Sequence, residues 1–159
     1  MKRALAFVVG ILLCGARGVV GQEPAAAPRV LDDFDTLRGW TALPADGVAL
    51  TIRPGAGRRG GAMRMDFDFH HHGGYAIAHK AIALDLPENY ALSFWLRAEA
   101  PVNNLEVKLI DASGENVWWD NQRDFVFPRR WTKVTITRRH ITFAWGPAGG
   151  GTLSHAAAI

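Results

Sequence analysis

The side chains of "AMRMDFDF", Ala62 to Phe69, alternate without a break: Met63, Met65, Phe67 and Phe69 lie on one side, and Arg64, Asp66 and Asp68 on the other. A period of two marks a half-buried β-strand, because successive side chains of an extended chain point to opposite faces. The same alternation recurs in "GVALTI", "YAIAHKAIAL", "YALSFWLRA", "NLEVKLID", "NVWWD", "DFVF" and "WTKVTI", with "HITFAW" a shorter extended piece. Turn formers separate these runs: "PADG", "PGAGRRGG", "HHHGG", "LPEN", "APVNN", "DASGEN" and "FPRR". No stretch from residue 29 onward holds helical periodicity, so no helix of any length is expected. Eight or nine short strands punctuated in this way predict an all-β fold, an antiparallel β-sandwich of jelly-roll type.

The first residues obey a different rule. "MKRALAFVVGILLCGARGVVGQ" places Lys2 and Arg3 before an apolar run from Ala4 to Leu13 and then small residues. This is the three-part pattern of a secretory signal peptide, and the run is too short to span a bilayer. Val19 and Gly21 suit cleavage before Gln22, and the small residues also permit cleavage near Gly18. Cys14 follows the bulky Leu13, which argues against lipidation. The chain is therefore expected to comprise a leader (1–21), a linker (22–28) and one β module (29–159), in a secreted or periplasmic protein without a membrane span.

Removal of the leader changes the electrostatics. The whole chain carries a formal net charge of +3, but residues 1–21 hold Lys2, Arg3 and Arg17 and no acid, so the remainder is neutral. A nucleic-acid partner is not expected of a domain without net basic charge. The single cysteine leaves with the leader, so no intramolecular disulfide is available and stability must come from packing. The ending "GPAGGGTLSHAAAI" stops as if entering another strand, so the chain is expected to be a fragment lacking its C-terminal strand and tethered to further domains in the full-length protein.

Alternation also sorts the faces. Leu92, Phe94 and Leu96 oppose Ser93, Trp95 and Arg97; Leu105, Val107 and Leu109 oppose Glu106 and Lys108; Val134 and Ile136 oppose Trp131, Lys133 and Thr135. One face of one sheet is thus expected to combine Trp95 and Trp131 with charged residues, joined by Trp118 or Trp119 according to register. Flat indoles beside directed polar groups suit a pyranose, which offers an apolar face of C–H groups and an equator of hydroxyls. The candidate carbohydrate-binding residues are Trp118, Trp119, Trp95 and Trp131 for stacking, and Asn116, Asp120, Arg97, Glu106 and Lys108 for hydroxyl contacts. Asn103, Asn104, Asn116 and Asn121 are expected to cluster near the same strand ends.

The segment "NNLEVKLIDASGENVWW" followed by "RRWTKVTITRRHITFAWGP", with "VLDDFDTLRGW" and "GGYAIAHKAIALDLPENYALSFWLRAEAPVNNLEVKLID" before it, resembles galactose-binding-like jelly-roll modules of secreted bacterial glycan-active proteins. Such modules often stand beside coagulation factor five/eight type (discoidin) domains and glycosidase modules, and are similar to family 11 carbohydrate-binding modules. The resemblance spans most of residues 30–148 and implies a β-sandwich that binds polysaccharide and performs no chemistry. It also implies a closing strand of the "IDDL" kind, which the sequence stops short of. Asp32, Asp33 and Asp35 are candidate ligands for a structural calcium, but three carboxylates fall short of the roughly six to eight oxygens that calcium takes. No other cofactor is expected.

Other motifs carry less. Of "HHHGG", only His70 and His72 share a face if extended, and zinc needs further ligands, so a polar turn is the better reading. Asp66 and Asp68 sit on one strand and cannot flank a glycosidic bond. No serine lies in a nucleophile-elbow context. "TRRH" with Arg129 and Arg130 forms a basic cluster able to touch acidic glycans, though a solvated strand end is commoner. The sequence therefore predicts a noncatalytic module that targets a larger protein to polysaccharide. The alternatives are a protein–protein or adhesion module, and an accessory domain of a downstream glycosidase.

Overall fold

The structure, a computed structural model, describes residues 28–159. The expected leader, with Cys14, and all but the last residue of the expected linker lie outside the described residues. Ten strands follow: β1 (Trp40–Pro44), β2 (Ala49–Ala56), β3 (Gly61–Asp68), β4 (Ala76–Asp85), β5 (Ala91–Leu96), β6 (Asn103–Ile110), β7 (Val117–Phe125), β8 (Thr132–Thr137), β9 (Thr142–Trp145) and β10 (His155–Ala158). Among the described residues the only helical element is a single 3-10 turn at Arg138–His140. No helix among them is long and apolar enough to cross a membrane.

Every strand pairing is antiparallel. One six-stranded sheet has the order β1-β4-β10-β6-β7-β9, and two ribbons, β2-β3 and β5-β8, complete the fold. The inward residues of the β5-β8 ribbon, Leu92, Phe94, Val134 and Ile136, pack with Leu84, Val107, Leu109, Trp118, Phe143 and Ala156 of the six-stranded sheet. Leu109, Ile136 and Ala156 are wholly shielded from solvent. Two antiparallel layers closing over one apolar core are compatible with a β-sandwich.

The alternation in "AMRMDFDF" has the expected consequence. β2 and β3 pair so that Leu50 lies opposite Phe67, Ile52 opposite Met65 and Pro54 opposite Met63, which gathers their apolar side chains on one face. On the reverse face Asp66 is held between Arg53 and Arg64, at 2.8 and 2.7 Å. The turn joining β2 to β3 packs so closely on the preceding loop that a Cβ at Gly61 would lie 2.3 Å from the Phe34 carbonyl oxygen. Only glycine fits there.

Three details depart from expectation, and one agrees with it. "VWWD" and the first two residues of "DFVF" belong to one strand, β7, because Asn121, Gln122 and Arg123 stay extended and Asn121 and Gln122 pair with β6, while Val126 and Phe127 lie beyond it. The irregularity falls instead at Asp124, with φ 52°, beside a register shift opposite Asn103–Leu105. β1 was hidden in a short run with a weak apolar pattern. The histidine segment is not extended: His70 and His71 have φ of 47° and 65°, and the Asp68 carboxylate accepts the His70 amide hydrogen at 2.8 Å. This makes it the polar turn preferred from the sequence.

Candidate functional site

Register decides the question posed by the adjacent tryptophans. Trp118 lies opposite Leu109 of β6 and Phe143 of β9, whereas Trp119 lies opposite Lys108 and Thr142. Trp118 thus enters the core, is 6% exposed, meets Phe143 edge-on at 5.2 Å, and donates its indole N–H to the Gly151 carbonyl at 2.9 Å. Trp119 faces the other way, onto the outer surface of the six-stranded sheet.

On that surface Lys108 is the centre of an aromatic frame. Its ammonium lies 5.2 Å from the Trp145 ring, 5.7 Å from that of Trp119 and 6.0 Å from that of Tyr75. Ammonium groups are drawn to the electron-rich faces of such rings. Trp119 and Trp145 themselves contact at 5.5 Å and 86°, edge to face. Glu106, two residues before Lys108 and so on the same face, forms an ion pair with its ammonium at 2.9 Å. Asn121 stands opposite Glu106, and its side-chain oxygen has no hydrogen-bond partner. Trp145 and Tyr75 are 46% and 51% exposed, so the frame is open to solvent.

The other sequence candidates are dispersed. Asn116 is buried at the start of β7, where its amide donates to Asp111 at 2.7 Å and its oxygen accepts the Ala148 amide hydrogen at 2.7 Å. It fastens two loops together and has little to offer a sugar. The pull of Ser113 and Asn116 hydrogen bonds holds the Asp111 carboxyl below its usual pKa. Asp120 points with Trp118 to the inner side, is buried, and accepts from the Gln122 amide at 2.6 Å. Asn103 and Asn104 begin β6, at the opposite end of the β6–β7 ladder from Asn116, so the four asparagines do not cluster.

Trp95, Trp131 and Arg97 belong to the outer face of the β5-β8 ribbon, not to the surface that carries Glu106 and Lys108. Trp95 lies opposite Lys133 in register, and the Arg97 guanidinium lies 5.1 Å from the Trp131 ring. Because the ribbon's inner side packs on the inner side of the six-stranded sheet, these groups lie on opposite outer faces of the two layers. The single mixed face expected from alternation is therefore two faces. Alternation assigns inside and outside within each strand, but not which sheet a strand joins.

The three aspartates do not converge on a cation. Asp32 accepts from the Phe34 amide at 2.8 Å and the Trp40 indole at 2.9 Å and forms an ion pair with Lys80; Asp33 accepts from the Asp35 amide at 3.0 Å; Asp35 accepts from the Gly61 amide at 2.9 Å. Among the described residues no group of three or more His, Cys, Asp or Glu side chains is placed to hold a metal ion. Burial alone would raise the Asp32 pKa, but the Lys80 hydrogen bond, the Phe34 amide, the Trp40 indole and the Lys80 charge together bring it below the ordinary value.

Tyr75 and Trp145 escaped the sequence reading. Trp145 is two residues after Phe143 in β9 and would share its inward face in a regular strand, but the register shift against β7 lets it meet the outward Trp119 instead. Tyr75 precedes its strand and is recruited only by the fold. Two surface hollows, of about 310 and 400 Å³, flank the Gly151–Leu153 segment and share Trp118, Thr152 and Leu153; both lie away from this aromatic frame. Comparison with protein-family models, curated proteins and solved structures finds no match to this chain.

Proposed function

We propose that the outer surface around Trp119, Trp145, Tyr75, Lys108 and Glu106 is a noncatalytic carbohydrate-binding site. On this reading the chain is a galactose-binding-like jelly-roll module of a secreted or periplasmic protein, and it targets that protein to polysaccharide. The supporting observation is the aromatic frame about the Lys108 ammonium, with a carboxylate at 2.9 Å. Indoles supply apolar area for the C–H face of a pyranose, Lys108 supplies hydrogen-bond donors, and the Glu106 carboxylate supplies acceptors. A rigid sheet holds these groups at little entropic cost. An open, wet surface of this kind gives affinities of about micromolar to millimolar, strengthened by tethering to other modules.

Calorimetric titration against a panel of neutral plant and bacterial polysaccharides tests the reading. At least one glycan is expected to bind and to shift the tryptophan emission. The W119A/W145A double variant should lose at least about tenfold in affinity. Unchanged emission across the whole panel, or equal binding by the double variant, would refute the assignment.

A further inference from the structure

The opposite outer face, on the β5-β8 ribbon, has a different chemistry. Trp95 lies opposite Lys133, and just beyond the last paired residues, Leu96 and Thr132, the Arg97 guanidinium lies 5.1 Å from the Trp131 ring, so each indole has a cation beside it at this end of the ribbon. Arg58, from the turn joining β2 to β3, adds a third cation by lying 4.0 Å over the Trp95 ring. Arg129 and Arg130 immediately precede Trp131, and both are exposed. None of Arg58, Arg97 and Lys133 is in a salt bridge with a described residue, whereas Arg53 and Arg64 share the Asp66 carboxylate.

The geometry points to this face as a second binding surface, for an anionic polysaccharide bearing carboxylate or sulfate groups. A guanidinium laid over an indole loses mobility yet keeps its in-plane N–H groups free, which is the arrangement that takes an oxyanion in a bidentate fork. Lys133, opposite Trp95, and Arg97, two residues past Trp95, are diagonal neighbours about 7–8 Å apart, so neighbouring anionic groups on one polymer find separate partners. The exposed part of Trp95, 43% of the residue, offers apolar area beside those cations. A nucleic-acid strand fits this face less well. Its bases need open rings to stack on, and here Arg58 already covers Trp95 and Arg97 attends Trp131.

The test titrates the protein with dextran sulfate and polygalacturonate, with neutral dextran as the uncharged comparison and single-stranded oligothymidylate as the competing polyanion. At least one anionic glycan should bind, neutral dextran should not, and affinity should fall steeply with salt. The R58Q/R97Q variant, altered only at exposed side chains, should lose at least about tenfold in affinity and show a shallower salt dependence. W119A should leave this binding unchanged, which separates the outcome from that of the neutral-glycan site. Undiminished binding by R58Q/R97Q, or oligothymidylate binding tighter than either anionic glycan, would overturn the proposal.

Discussion

The indole N–H of Trp118 reaches the carbonyl of Gly151, 33 residues further along the chain, at 2.9 Å. This one bond ties the centre of the six-stranded sheet to the glycine-rich segment leading into β10. A buried indole without a partner would be costly, and this contact lets the largest side chain of the core be enclosed. Replacing Trp118 with phenylalanine keeps most of the apolar volume but removes the donor, and should cost about 1–3 kcal/mol. Replacement with alanine should cost about 3–5 kcal/mol. Urea unfolding of the two variants measures both, and a W118F variant as stable as the wild type would show that packing alone is at work.

Asp32 makes the fold sensitive to acid. Its carboxylate receives Lys80, the Trp40 indole and the Phe34 amide, and its pKa is lowered in the folded protein. A carboxyl with a depressed folded pKa contributes stability that is fully present above its unfolded value, near 3.8, and is lost as pH falls through the folded value. D32N should therefore be less stable than the wild type at neutral pH, by roughly 2 kcal/mol for a charged hydrogen-bond network. The gap should close as pH is lowered below about 4. Thermal unfolding of the pair between pH 2 and 7 checks the sign; a gap that widens in acid would contradict it.

The all-β character was legible because a side-chain period of two has a single local cause, the pleat of the strand. Leu92, Phe94, Val107, Leu109, Val134 and Ile136 turn inward as alternation requires. The composition of the site was less legible. Glu106, Lys108 and Trp119 do come together, since β6 and β7 are neighbours and their register is local. Trp95, Trp131 and Arg97 were grouped with them but lie on the other layer, and sheet membership depends on pairings distant in sequence. Asn116 and Asp120 illustrate a further limit. Their polarity suggests exposure, yet both are buried, Asn116 because loop closure uses its hydrogen bonds and Asp120 because it pairs inward with Gln122.

Lys108 separates stacking from polar recognition in the proposed glycan site. K108M preserves much of the side chain's apolar length within the Trp119–Trp145–Tyr75 frame but removes the ammonium and leaves Glu106 unpaired. Affinity for a bound neutral glycan should fall about five- to tenfold, the worth of one or two hydrogen bonds at an open site. The melting temperature should move little, because the Glu106 side chain is 27% exposed and water can replace the lost contact. Calorimetry with circular dichroism on one variant reads both quantities, and unaltered affinity would mean that the ammonium makes no sugar contact.

The strand order leaves an uneven junction beside this site. β10 pairs with β4 through Ala81, Leu84 and Asp85, and Ile159 exchanges two backbone hydrogen bonds with Lys80, but its only register partner on β6 is Ile110. β6 is laddered to β7 along nearly its whole length, so those of its Leu105–Lys108 amides that point away from β7 face a side with no strand among the described residues. Unpaired edge amides exchange with solvent through small local fluctuations, whereas laddered ones wait for larger openings. Hydrogen exchange followed by NMR should therefore split β6 into two alternating classes. The amides directed to β7 should be protected by orders of magnitude more than those directed to β4. Uniform protection along Leu105–Lys108 would mean that both edges of β6 are engaged in solution.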